Sequence, residues 1–425
     1  MLLALAALVV ALGILTWDRQ SVSGAAAGQV LGRQAASSVK AGGRVAIIGR
    51  DAAVDVDFVR AVARQLEGRN ITVAVQVNGK PSDALTQLRA AASDGKAIDL
   101  IIASDVAGNW PAVQKWAQRD PAKPVRILIP QPYYWPNFLK SENLLNISNQ
   151  IAVIAIIAIG MTMVIIIGGI DLSVGSQVAL SAVICTLLVR QWGGYQAPLE
   201  YVIGACLVAI VACGLLGAIS ASFVTLLRVP SFIVTLAMML LADGLAYNLS
   251  NGATIQDVPA SFGWLGNGTA LGRVPNSAVL MGILYIAAWL VMTRTVFGRH
   301  LYAVGGNQKA AWLCGVPVNR VTIAAFTICG LLAGLGGVLV ASQLEAGNPN
   351  YGAKYELTVI AAVVVGGTSL SGGRGTMWGT FVGALILAVI ANGMNLVGLE
   401  SKRQQIVLGL VILSAVVLDR SKARD

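Results

Sequence analysis

Asp171 sits in the run GGIDLSVGS, Gly168 to Ser176, which interrupts an otherwise long apolar region. A carboxylate near a membrane interior is costly unless it faces a cavity or a partner, so its type suggests contact with a polar solute. A second reading is structural: Asp171 or Ser173 would satisfy the open N–H groups of the helix that follows. The two roles are compatible. A similar break, GGTSLSGGRGT, runs from Gly366 to Thr376; both breaks follow a Val/Ile-rich run and both begin Gly-Gly. Paired glycine-broken apolar segments point to internal duplication and a midplane site in transporters, although glycine also serves close helix packing.

A third polar stretch, Phe297 to Val321, is too long for a turn and too polar to enter a bilayer. Between Arg294 and Arg320 the chain carries four basic and no acidic side chains. Ala310, Ala311 and Leu313 are expected in a short helix ended by Gly315 and Pro317. Such a helix would either receive a partner that pushes on a pore or lie on anionic lipid, and composition leaves both open.

Other chemistry is missing. Neither Gly79-Lys80 nor Gly95-Lys96 continues into a P-loop. The single histidine, His300, leaves no Ser/His/Asp set and no zinc site, and the five cysteines form no C-x-x-C pair. The net charge of +10 is better explained by basic cytoplasmic loops than by nucleic acid, because no basic-aromatic surface accompanies it.

The elements that must position these residues are mostly membrane helices. The chain has 425 residues, 56% hydrophobic and 12% charged, with mean hydropathy +0.73. Its apolar runs are continuous rather than alternating, which favours helices over barrel strands. Residues 1–17 are expected as a first, uncleaved helix. Residues 18–42, small and polar, read as a linker. Nine further spans are expected near 148–167, 174–189, 201–223, 230–248, 276–293, 321–341, 357–371, 375–396 and 404–418, which gives about ten. The basic residues Arg228, Arg294, Arg299, Lys309, Arg320, Arg374, Arg420, Lys422 and Arg424 then collect on one side. The other side holds Arg190, Arg273, Lys354, Lys402 and Arg403. This bias predicts a cytoplasmic C-terminus, with residues 18–145 extracytoplasmic.

Residues 43–130 differ in kind. Strands are expected at Val45–Ile48, Ile71–Val77, Ile98–Ala103 and Val125–Ile129. Phe58, Val62 and Leu66, then Leu85, Leu88 and Ala92, recur at helical spacing, and a third helix starts near Pro111. This alternation calls for a soluble α/β domain with a parallel sheet. The fold class is therefore an all-α polytopic membrane protein with an inserted α/β lobe, the membrane domain spanning 131–425.

The stretches PNFLKSENLLNI (Pro136–Ile147), GMTMVIIIGGIDLSVGS (Gly160–Ser176), VPSFIVTLAMM (Val229–Met239), GLAYNLSNG (Gly244–Gly252), the Phe297–Val321 loop and YELTVIAAVVVGGTSLSGGRGT (Tyr355–Thr376) together resemble the permease subunits of bacterial ATP-driven sugar importers. The matching type imports ribose, xylose, arabinose or galactose. The resemblance implies a type II ABC importer-like homodimeric pore in the inner membrane, served by a separate sugar-type ATPase and an extracytoplasmic sugar-binding protein. The permease itself would hold no cofactor, the ATP being bound by the partner, and would not be an enzyme. The resemblance also implies that the ATPase docks on Gly305, Gly306, Asn307, Ala310, Ala311, Leu313 and Gly315. The breaks at Gly168, Gly169, Asp171 and Ser173 and at Gly366, Gly367, Thr368 and Ser369 would border the translocation path. Four residues depart from the family pattern: Asp243 stands where arginine is frequent, Thr358 where an acidic residue is common, and Trp312 and Cys314 in place of Arg and Ser.

Residues 43–130 are themselves similar to one lobe of the periplasmic sugar-binding proteins. Ligands of open parallel sheets bind beyond the carboxyl ends of the strands, which marks Asp51, Ser104 and Asp105 as candidate contacts. One lobe alone buries little of a small polar ligand, so docking, regulation, a structural remnant and direct sugar binding all remain as roles. Substrate alternatives are nucleosides, autoinducer-2 and polyols. A different class is a membrane sugar sensor, which would require an attached signalling domain.

Overall fold

The computed structural model describes residues 1–20, 22–93 and 97–422. Gly95, Lys96 and Arg424 lie outside them. The chain divides into two compact units, residues 17–136 and residues 1–16 with 137–425.

The chain begins with α1 (Leu2–Leu15). The unit 17–136 then runs β1 (Trp17–Gln20), α2 (Gly24–Ser38), β2 (Arg44–Gly49), α3 (Ala53–Leu66), β3 (Thr72–Asn78), α4 (Pro81–Ser93), β4 (Leu100–Ala103), α5 (Asp105–Gly108), α6 (Pro111–Ala117), β5 (Arg126–Leu128) and β6 (Tyr133–Pro136). β1 and β6 pair antiparallel, Trp17 opposite Pro136. The other four strands form a parallel sheet in the order β3-β2-β4-β5. Strand side chains alternate between faces. Val45 and Ile47 accordingly join Phe58, Val62 and Leu66 on one side, while Ala46 and Ile48 join Leu88 and Trp116 on the other.

Residues 18–42, expected as a linker, instead contain β1 and α2. Helix α2 buries Ala27, Leu31 and Ala35, an i, i+4, i+8 stripe that covers the face of the sheet occupied by α3. A β-carbon on Gly28 would collide with the Phe58 carbonyl, and one on Gly32 would reach the Gln65 side chain at 2.6 Å. The small residues that resemble linker composition are what lets α2 approach α3 closely.

The other unit continues with α7 (Ser141–Ile166), α8 (Val174–Gln191), α9 (Leu199–Leu226), α10 (Ser231–Ser250), α11 (Trp264–Asn267), α12 (Asn276–Arg294), α13 (Val296–Gly306), α14 (Gln308–Leu313), α15 (Val318–Leu344), α16 (Tyr355–Val365), α17 (Met377–Leu396) and α18 (Ser401–Lys422). Among the described residues seven helices are long and apolar enough to cross a membrane: α7, α8, α9, α10, α12, α15 and α17. Helices α1 and α16 are shorter, at 14 and 11 residues. The span expected over 357–371 stops at Val365 because Gly366 and Gly367 break it, Gly367 at φ +84°. The span expected over 404–418 lies within α18.

Helix α7 forms the centre of this unit. It has 26 residues, about 39 Å at 1.5 Å per residue, and from Ile151 to Ile166 it is buried throughout. A β-carbon on Gly160 would meet the Cys329 backbone of α15 at 2.6 Å. Thr162 and Thr380 share a buried hydroxyl contact of 2.7 Å between α7 and α17.

Candidate functional site

After α7 the chain leaves the helix at Gly168, φ +80°, and residues 170–172 run without helical hydrogen bonds of their own. Backbone groups inside an apolar bundle must find partners, and α10 supplies them. The Ile170 N–H donates to Ser231 Oγ at 3.1 Å, and the Leu172 N–H to Thr235 Oγ1 at 3.1 Å. The Thr235 hydroxyl is also 3.2 Å from the Ile170 carbonyl. Ser231 and Thr235 were not singled out from sequence; their i, i+4 spacing in VPSFIVT is the signal.

Asp171 is fully buried. Its Oδ1 accepts from the Ser173 N–H at 2.9 Å and from Ser173 Oγ at 2.6 Å, one residue before α8 begins. Ser173 Oγ in turn accepts from Gln177 Nε2 at 2.7 Å, and the Cys329 thiol lies beside the carboxyl. Asp171 thus orders the entry to α8, while among the described residues its Oδ2 and Gln177 Oε1 have no hydrogen-bond partner. Gly169 and Ser173 are also buried, whereas Gly168 is exposed.

The second break follows α16. Gly366 and Thr368 are buried, Gly367 is exposed and Ser369 is half-buried. The Ser369 N–H donates to the Arg374 carbonyl at 3.0 Å, folding the loop back, and Thr376 Oγ1 caps α17 by accepting from the Gly379 N–H at 3.0 Å. Thr368 Oγ1 is buried with no hydrogen-bond partner among the described residues.

The two breaks and the end of α13 meet. The Gly373 N–H donates to the Ile166 carbonyl, the last residue of α7, at 2.8 Å. A β-carbon on Gly305 would collide with that same carbonyl and with the Gly373 nitrogen. The Tyr302 hydroxyl, one turn earlier on α13, donates to the Gly375 carbonyl at 2.7 Å. Three glycine-bearing segments far apart in sequence therefore share one backbone junction, which none of the sequence patterns announces.

Beyond Gly306 the chain turns into α14. Asn307 caps it, its Oδ1 accepting from the Ala310 N–H at 3.0 Å, and Gly315 ends it at φ +82°. Gly306, Asn307, Ala310, Leu313 and Gly315 are exposed, Gly305 is half-buried and Ala311 is buried. Trp312 and Leu313 stand out at 68% and 76% exposure, with exposed Arg299, Lys309 and Arg320 nearby in sequence. An apolar knob with a basic surround is suited to protein contact more than to solvent.

In the α/β unit, Ser104 at the end of β4 donates its hydroxyl to Asp55 Oδ2 at 2.6 Å. Asp55 also accepts from the Arg50 N–H at 2.9 Å and from Arg50 Nε and Nη2 at 3.0 and 3.1 Å. Burial pushes the Asp55 carboxyl up, but these hydrogen bonds outweigh it and hold the group below the usual carboxylate range. Ser104 is thus engaged within the fold, while Asp51 is exposed and Asp105 half-buried. Among the described residues no group of three or more His, Cys, Asp and Glu is arranged to hold a metal.

Residues 143–416 match the family model described as branched-chain amino acid transport system / permease component. The chain is 43% identical over 291 residues to the ribose import permease protein of Escherichia coli, covering 68% of this chain and 88% of that protein. It is 42% identical over 292 residues to the ribose import permease protein of Bacillus subtilis, covering 68% and 88%. The xylose transport system permease protein of Escherichia coli is 34% identical over 350 residues, covering 68% and 87%. No solved structure matches the chain. The match over most of the membrane unit places this multi-pass chain in the family of transport-system permease components.

Proposed function

We propose that the chain is the membrane-spanning subunit of an ATP-driven importer for a monosaccharide of the ribose or xylose kind. The observation that carries this reading is the 43% identity to a ribose import permease across 88% of that protein. The family description names amino acids, but the individual relatives are sugar permeases.

In this reading a cytoplasmic ATPase grips α14 through Trp312, Leu313 and the exposed residues from Gly306 to Gly315. Movement of α13 is then passed to both glycine breaks through the Gly305 contact and the Tyr302–Gly375 hydrogen bond. The C-terminus is cytoplasmic, the α/β unit lies outside, and two copies form the pore. An extracytoplasmic sugar-binding protein delivers the solute, and the α/β unit serves that docking or its regulation. The engagement of Ser104 with Asp55 supports docking over direct sugar binding. Co-purification of the full chain with its ATPase and binding protein, followed by a sugar-binding screen, tests the reading. A stable complex selecting a pentose is expected; a chain that recruits neither partner contradicts it.

A further inference from the structure

The seven long apolar helices place almost all of their charged residues within the first or last turns: Glu142 on α7, Arg190 on α8, Glu200 on α9, Arg294 on α12 and Arg320 on α15. Asp243 is different. It lies 12 residues after the start of α10 and 7 before its end, deep in the span, and it is exposed. It has no hydrogen-bond or ion-pair partner among the described residues. A carboxylate directed at lipid there is strongly unfavourable, so such residues face water or a partner.

The other outward faces show what a lipid-facing surface looks like in this chain. On α9 the exposed side chains include Leu207, Val211, Leu215 and Ile219; on α12 they include Ile283, Ile286 and Leu290. Helix α10 buries only the stripe Thr235, Met238, Ala242, Ala246 and Ser250. Its open side carries Asp243, Gly244, Tyr247 and Asn248 among leucines. A β-carbon on Gly244 would have no atom within 4 Å, so another backbone can approach there closely.

Most of helix α7 is buried, Thr162 fully so, as is Asp171 in the break that follows it. Among the described residues Asp243 is the one charged side chain in the middle of these seven helices, and its exposed polar face is half of a surface that a symmetric second copy completes. We propose that the Asp243–Asn248 face of α10 is turned to a second copy of this chain across a water-filled path, where the two Asp243 carboxylates and the Asn248 amides contact the sugar's hydroxyl groups. The sugar contact rests on the function proposed above; the placement of the face does not.

Single-cysteine additions to the full chain in native membranes test the placement. The probe is a charged, membrane-impermeant maleimide, read site by site by peptide mass. Because the thiolate forms only in water, Gly244→Cys should label at least about tenfold faster than Ile286→Cys or Leu215→Cys. It should also form an intermolecular link with a bis-maleimide. Labelling as slow as at Ile286→Cys, or fast labelling without a link between copies, overturns the proposal.

The sugar contact is tested by uptake at matched membrane levels. Asp243→Leu should lower uptake about tenfold or more, because a sugar hydroxyl loses its acceptor, whereas Asp243→Asn retains a larger share. Unchanged uptake by Asp243→Leu overturns the contact. If the unmodified chain takes up no sugar, the functional reading falls, while the labelling and linking results still decide where α10 faces.

Discussion

The Tyr302 hydroxyl donates to the Gly375 carbonyl at 2.7 Å, fastening α13, the helix before α14, to the second glycine break. One turn further along, Gly305 rests against Ile166 and Gly373, so the same helix also bears on the end of α7. A displacement of α14 cannot leave either break undisturbed without parting these contacts.

Tyr302→Phe removes one donor and strands a carbonyl at the junction. The loss should cost about 1–3 kcal/mol. It should appear as ATP hydrolysis that continues while sugar uptake falls, measured together in vesicles. Uptake and hydrolysis changing in parallel would argue that Tyr302 only stabilises the fold.

Gly305 and Gly306 are neighbours with opposite expectations. Gly305→Ala places a methyl group against backbone atoms, an overpacking cost of about 1–3 kcal/mol, visible as a lower Tm of the purified chain. At Gly306 nothing lies within 4 Å of the added carbon. Gly306→Ala should keep Tm, while Gly306→Trp should keep the protein in the membrane and lose coupling to ATP hydrolysis.

Trp312 contributes no core packing, being 68% exposed. Exposed aromatic residues that anchor an interface commonly account for about 2 kcal/mol or more of binding. Trp312→Ala should therefore weaken ATPase association at least about tenfold, with membrane levels unchanged. Equal binding would leave α14 to the lipid surface.

The Asp55 network sets a pH dependence for the α/β unit. Its carboxyl is held below its unfolded value, so the folded unit gains stability above the unfolded pKa, about 3.9, and loses it as pH falls through the lower folded value. Hydrogen exchange of the β2 and β4 amides should rise in that acid window. Asp55→Asn should remove the acid-dependent step and raise exchange at neutral pH.

The unit boundaries also change how the α/β unit can be removed. Cutting 43–130 would leave the Ala27, Leu31 and Ala35 stripe of α2 without α3 and the sheet. Cutting 17–136 removes the whole compact unit. The longer deletion should accumulate in membranes and the shorter one should be degraded; quantifying both by immunoblot decides it.

Much of the molecule was legible in the sequence because its signals are local. The sheet strands β2 to β5 follow from apolar runs such as Val45–Ile48, and the end of α14 follows from Gly315. Helix α2 was not legible, since its alanines and glycines resemble a linker until α3 is present to receive them. The role of Ser231 and Thr235 was not legible either, because a hydroxyl in an apolar span carries no local mark of the distant backbone it satisfies. The meeting of Ile166, Gly305 and Gly373 is purely tertiary: each glycine is explained locally as a break or a cap, and only the fold brings the three together.

The central claim is that this permease moves a sugar under the power of a separate ATPase. The direct measurement is uptake of labelled ribose or xylose into proteoliposomes containing the full chain, its ATPase and its binding protein. ATP-dependent accumulation that requires the chain, and is lost in the Gly306→Trp variant, is the predicted result. Accumulation without ATP, or none for either sugar with all three components assembled, would contradict the account.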